Sequence, residues 1–297
     1  MKRILLTLLS AAIIAQAALA QSYTFKVMGS KGANEIKTGG KWEPMKIYSL
    51  LQAGDEIKVS PNAYIALVHS SGRPIEWREP GVFKVTDLEA NVKEGTSVVN
   101  KYTDFIMSNN SAEAKKNRLS ATGAVTRATG ESIKVFLPGN QDAGLYNTFA
   151  IVTWEDENPA NRPYIVTLKS LFDDELLKIE ANETNVKIDL SNPRFANENA
   201  ILVSVHSKAN PRVKSQDFIL KKLSASHYAT VKAGLAEILP ELSEETALNK
   251  FLLAGFYEQN KLMVDALTAY REAINLAPDV PSYQEAYEDF LVRNRLK

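Results

Sequence analysis

Apolar positions along this chain change their period from one region to the next, and each change predicts a new kind of element. From about residue 23 to 90, short apolar runs alternate with turn clusters. The run 45–51 ends in Ala53-Gly54-Asp55, 56–59 in Ser60-Pro61-Asn62, 64–68 in Ser70-Ser71-Gly72, and 74–78 in Glu79-Pro80-Gly81, with 82–85 following. Runs of this length between Gly, Pro and Asn clusters predict β-strands. In Tyr64-Ile65-Ala66-Leu67-Val68 nearly every position is apolar, which predicts a strand buried on both faces. The spacing then turns helical: Val99, Tyr102, Phe105 and Ile106 predict a short packed helix over 98–107. A polar stretch follows from Ser108 through Lys115, Lys116, Asn117 and Arg118, and reads as a solvated linker, with contact to an acidic partner as the other reading.

Strand spacing returns at 133–137, 149–154, 164–169, 175–179, 185–190, 200–206 and 218–222. Seven short strands separated by turns predict a β-sandwich. Trp154 closes an apolar strand, so it reads first as a core residue and second as a sugar-stacking platform. From Ala225 onward the period is helical again, with helices expected at 228–239, 245–259, 262–277 and 282–293. The expected fold class is multidomain α+β, two small all-β domains followed by an α-helical segment. Its expected parts are 1–20 leader, 21–90 first β domain, 91–131 helix and linker, 132–223 sandwich, and 224–297 helical domain.

Three stretches resemble known families. Ala254 and Tyr257 on one expected helix, then Ala266, Tyr270 and Ala273 on the next, then Pro278, resemble one tetratricopeptide repeat. Lys41-Trp42, Leu51-x-x-Gly54-Asp55-x-Ile57 and the apolar strand ending in Ser71-Gly72-Arg73 resemble a FecR-like periplasmic β domain. Trp154 with the alternating Tyr164-Ile165-Val166-Thr167-Leu168 is similar to a fibronectin type III or immunoglobulin-like module. The order of these parts is similar to that of envelope proteins of Bacteroidota. The tetratricopeptide resemblance implies a docking surface, here built from Tyr257, Tyr270, Tyr283 and Tyr287, with a cap closed inside the chain by the same aromatic residues as the other reading. The FecR-like resemblance implies a structural role for the Gly-Asp turn, and also a signal-sensing role as a further alternative.

Composition narrows the function. Lys2 and Arg3 precede an apolar run from Ile4 to Leu19, and Ala18-Leu19-Ala20 before Gln21 is a small-x-small cleavage pattern, so 1–20 reads as a secretory leader. The 297-residue chain contains no cysteine, which excludes a disulfide framework, a thiolate nucleophile and a lipid-acceptor cysteine. Lys plus Arg and Asp plus Glu both number 35, so no net charge draws nucleic acid or anionic lipid. The expected location is the periplasm, with the cell surface as the alternative.

Catalytic patterns are missing from the sequence. His69, His206 and His227 show no metal-ligand or triad spacing, no serine lies in a Gly-x-Ser-x-Gly elbow, and Gly29-Ser30-Lys31-Gly32 lacks the end of a phosphate loop and reads as a hairpin. Glu155-Asp156-Glu157 and Asp173-Asp174-Glu175 lack calcium-loop spacing and read as solvated turns. The expectation is an exported, non-enzymatic interaction protein without cofactor or metal, an accessory subunit whose partners are other envelope proteins. The alternative is a glycan- or peptidoglycan-binding module centred on Trp42, Trp77 or Trp154.

Overall fold

The computed structural model describes residues 23–121 and 133–297. The expected leader lies outside the described residues, as do 122–131 of the expected linker and Ser132. Among the described residues, no helix is long and apolar enough to cross a membrane. The fold is α+β, with antiparallel sheets in the first two thirds and helices in the last part.

The first β unit contains β1 (Phe25–Lys31), β2 (Glu35–Thr38), β3 (Lys41–Pro44), β4 (Leu50–Leu51), β5 (Glu56–Val59), β6 (Tyr64–His69), β7 (Pro74–Trp77) and β8 (Gly81–Lys84). They form two four-stranded sheets, β4-β1-β6-β7 and β3-β2-β5-β8. Phe25, Val27, Ile57, Ile65 and Leu67 meet in one core, closed by Val85 and Leu88 of the short helix α1 (Val85–Glu89). The expected strand 45–51 shrinks to Leu50–Leu51, because Tyr48 takes φ 67° and breaks the extended run. The expected hairpin at Gly29–Gly32 also moves. Its first three residues belong to β1, and Gly32 alone makes the turn at φ 87°, where an added Cβ would lie 2.9 Å from that of Ala63.

Helix α2 (Asn100–Asn110) follows, and the polar stretch read as a linker is helix α3 (Ala112–Ala121). Ser111 starts it, its hydroxyl accepting from the amide of Ala114 at 3.2 Å. The acidic contact of Lys115 lies within the chain itself: its ammonium sits 2.9 Å from Asp289 on the last helix. This helix was illegible because its sequence, AEAKKNRLSA, carries no apolar stripe for a periodicity argument to find.

The second β unit contains β9 (Lys134–Val135), β10 (Gly144–Leu145), β11 (Phe149–Glu155), β12 (Tyr164–Lys169), β13 (Glu175–Ala181), β14 (Asn185–Asp189), β15 (Ala200–Ser207) and β16 (Phe218–Lys222). A five-stranded sheet, β10-β16-β15-β12-β13, faces a three-stranded one, β14-β11-β9, as a sandwich. Every contact is antiparallel except the two-residue pair β10/β16. Trp154 lies between the sheets, its ring edge-on to Tyr164 at 5.4 Å.

Four helices complete the chain: α4 (Ala225–Ile238), α5 (Ala247–Gln259), α6 (Met263–Leu276) and α7 (Pro281–Arg293). Ser224 and Thr246 cap α4 and α5, accepting from the amides of His227 and Asn249, and Pro281 opens α7 where a missing N–H costs nothing. Gly255 lets α5 approach α2 so closely that an added Cβ would lie 2.7 Å from the Ile106 side chain.

The helices form the middle of the molecule. One apolar core runs from Met28, Tyr64, Ala66 and Val68 through α2 and α5–α7 to Val152 and Trp154. Strand β6 shows how: Ile65 and Leu67 fill the first β unit, while Tyr64, Ala66 and Val68 on its other face meet the helices. That strand is buried on both faces. Strand β11 is likewise covered, since the Ile151 amide, beyond the reach of short β9, donates to Thr268 Oγ1 of α6 at 3.0 Å.

Candidate functional site

The four tyrosines expected to present a docking face are buried inside the chain. Tyr257, Tyr270, Tyr283 and Tyr287 keep 6%, 0%, 0% and 2% of their surface. Two of them tie the helices to the β units, and two tie the helices to one another. The Tyr283 hydroxyl lies 2.7 Å from that of Tyr64 on β6, and the Tyr257 hydroxyl accepts from Asn147 Nδ2 before β11 at 3.1 Å. Tyr270 donates to Glu258 and accepts from Arg293, which grips Glu258 in a fork at 2.6 and 2.7 Å. Burial works to lower the pKa of the Arg293 guanidinium, but Glu258 holds it above the ordinary value. Tyr287 packs tilted on Tyr270, and burial pushes its phenol up to about 12. A face filled this way has no surface left for a partner, so the docking expectation is corrected at these residues.

The tryptophans do not share a cleft either. Trp154 is sandwich core, Trp77 packs edge-on to Phe83 at 5.1 Å in the first β unit, and Trp42 stands on β3 with Lys37 and Lys58 over its ring. Burial corrects the sugar-platform reading at Trp154, and the three do not converge on one cleft, while Trp42 is 36% exposed.

His69 comes nearest to a catalytic arrangement. Its Nδ1 lies 2.8 Å from Ser71 Oγ and its Nε2 3.3 Å from Glu89. The same Nδ1 also accepts the Ser71 amide at 3.1 Å, so its lone pair is committed to a local turn and is not free to take the serine proton. Asp156 is similarly spent, accepting from the Asn158 amide, Asn161 Nδ2 and the Tyr164 hydroxyl.

An open cavity of about 300 Å³ lies at one end of the sandwich, between the ends of the two sheets. Leu145, Phe195, Ile201 and Leu220 supply its apolar lining, and Glu198 and Lys222 also border it. Tyr146 and Tyr228 form one wall, stacked at 4.7 Å with 22° between planes. The wall is fixed from beneath. Asp265 of α6, fully buried, accepts the amides of Tyr146 and Asn147, each at 2.9 Å. Burial pushes its carboxyl up to about 6, against those two N–H groups, which favour the charged form. A concave apolar site with a rigid aromatic wall suits an apolar or aromatic side chain.

Beside this cavity the β12–β13 turn exposes Leu171 and Phe172, the latter 89% exposed. Neither the stacked tyrosines, nor Asp265, nor this turn stands out in the sequence by spacing. The one available signal was an apolar pair, Leu171-Phe172, inside a turn bounded by Ser170 and Asp173-Asp174, where a polar residue is the rule. No known protein family matches this chain, and no curated protein matches it.

Proposed function

We propose that this chain is an exported, non-catalytic interaction protein of a bacterial envelope, and that it meets its partner at the sandwich mouth. Export rests on the basic and apolar leader pattern of residues 1–20. The domain order supporting it is FecR-like, then fibronectin-like, then tetratricopeptide-like. The buried small residues Ala254, Ala266 and Ala273 in the α5–α6 hairpin favour the last assignment. The helices act as an internal joint between two β units, and the sandwich carries the contact surface.

The observation that carries this reading is the open apolar cavity walled by Tyr146 and Tyr228, beside the exposed Leu171-Phe172 turn. An apolar hollow and an apolar projection left in water at one end of a well-packed molecule favour a protein contact. The test is crosslinking of the tagged protein in its native cells, comparing wild type with Asn199→Trp. Asn199 is an exposed residue bordering the cavity, so an indole there fills the mouth without entering the core. Loss of specific crosslinks in the folded variant is expected, and an unchanged crosslink profile would contradict the reading.

A further inference from the structure

The apolar projection and the apolar hollow belong to the same end of the same sheet. Lys169, the last residue of β12, pairs with Leu202 near the start of β15, and Leu202 pairs with Ile219 of β16. The turn after Lys169 therefore leaves the sheet at the end where Ala200, Ile201 and Leu220 line the cavity. Across the sheet, turn and cavity are two to three strand spacings apart, about 12 Å at roughly 4.8 Å per spacing.

The turn is built to hold its apolar pair outward. Ser170, itself buried, accepts the amides of Phe172 and Asp174 at its hydroxyl oxygen, 3.1 and 3.2 Å away, and donates to the Asp174 carboxylate. The Ser170 amide closes the turn on the Asp174 carbonyl at 2.8 Å, and Asp173 takes φ 73°. A projection fixed in this way loses little freedom on insertion. Charge favours the same pairing. Asp173, held by Lys169 at 2.7 Å, and Asp174 flank the projection, whereas Lys221 and Lys222 outnumber the single carboxylate, Glu198, on the cavity border, their ammonium groups donating to the backbone carbonyls of Asn140 and Phe195.

We propose, building on the sandwich-mouth reading above, that Leu171 and Phe172 of one copy seat in the cavity of a second copy, and the reverse, to give a two-fold dimer. Because projection and cavity lie side by side at one end, a two-fold axis perpendicular to the strands, lying across that end midway between them, turns the second copy to face the first and places each projection over the other copy's cavity. Such a contact closes on itself, uses two identical insertions, and brings Asp174 toward Lys222 of the second copy.

Sedimentation equilibrium of the full purified chain tests this. A dimer with a dissociation constant on the order of 10 µM is expected for two small anchored contacts. Phe172→Asp should weaken it at least about 100-fold, as loss of a central aromatic anchor does. Its melting temperature should stay that of wild type, since Phe172 packs on little within its own chain. Asn199→Trp should weaken the dimer to a similar degree. Mixing the two variants gives the sharper result: one intact projection meets one intact cavity, so the mixture should associate more tightly than either variant alone. A wild type monomeric up to about 1 mM would overturn the dimer. So would a dimer that neither variant weakens, or a mixture no tighter than its parts. If the wild type is monomeric while Asn199→Trp still abolishes crosslinks to another protein, the dimer falls and the sandwich-mouth reading stands. If Asn199→Trp changes neither, both fall.

Discussion

Two aromatic regions of this chain have opposite fates. On the helices, Tyr257, Tyr270, Tyr283 and Tyr287 lie at helical spacing and are buried between two β units, the hydroxyls of the first three tied to Asn147, Glu258 and Tyr64. At the sandwich mouth, Tyr146, Phe172 and Tyr228 follow no period, yet they line or flank an open hollow. A regular apolar stripe is what a chain uses to pack on itself, because periodicity arises from presenting one face to one neighbour. Aromatics held by a turn, by a loop and by the first turn of α4, as Phe172, Tyr146 and Tyr228 are, share no such face.

The severest way to break this comparison is to remove the helices. A chain ending at Ser224 loses the cover over Tyr64, Ala66 and Val68 and the hydrogen bond to Ile151, so it should aggregate or lose cooperative unfolding. A soluble truncated chain with native near-ultraviolet circular dichroism would show that the helices cap nothing.

Within the intact chain, Tyr270→Ala empties a fully buried site and strips a partner from the Glu258–Arg293 pair. It should cost about 3–5 kcal/mol in urea unfolding. A cost under about 1 kcal/mol would place that face at the surface.

Asp265 joins the two regions, since it holds the cavity wall from the helix side. Its carboxyl is raised from 3.8 to about 6 in the fold, so the folded state binds the extra proton between those values. The stability this supplies is full below about pH 4 and is lost as pH rises through about 6. A shift of that size corresponds to about 3 kcal/mol. Relative to Asp265→Asn, wild type should therefore lose up to about 3 kcal/mol between pH 4 and pH 7. A pH-independent difference between the two would contradict the burial of this carboxylate.

The smallest expected effect comes from Tyr283→Phe, which deletes one hydroxyl of the Tyr64–Tyr283 pair and leaves the ring in place. The loss should be about 1 kcal/mol, read by thermal unfolding. No loss at all would mean that α7 does not lean on β6.

Much of the element order could be read from the pattern alone. Strands Tyr164–Lys169 and Phe218–Lys222 fall at their expected bounds, and α5–α7 begin and end within two residues of theirs. Local periodicity, caps and proline positions suffice for that. The one strand expected to be buried on both faces, Tyr64–Val68, also held the clue to the architecture, because a strand with two buried faces needs a second layer to cover it. What that layer is made of depends on contacts far apart in sequence, such as Tyr64 with Tyr283, and spacing carries no record of them. The sandwich mouth was harder still. Leu145, Phe195, Ile201 and Tyr228 converge only after strands, a short turn of helix and α4 have taken their places.

The chain contains no cysteine, so a single introduced thiol reports on its own site. Ala286→Cys places one on the inner face of α7 beside Tyr283 and Tyr287, where the native alanine is 1% exposed, and Phe172→Cys places one on the exposed turn. The rate at which a thiol reagent modifies each in the native, monomer-dilute protein compares the two regions directly. If the helical face is closed within the chain, the Ala286→Cys thiol should react at least about 1,000-fold more slowly than the Phe172→Cys thiol, because it must wait for an opening of the core. Equal rates would show the helical face open to solvent and contradict the account.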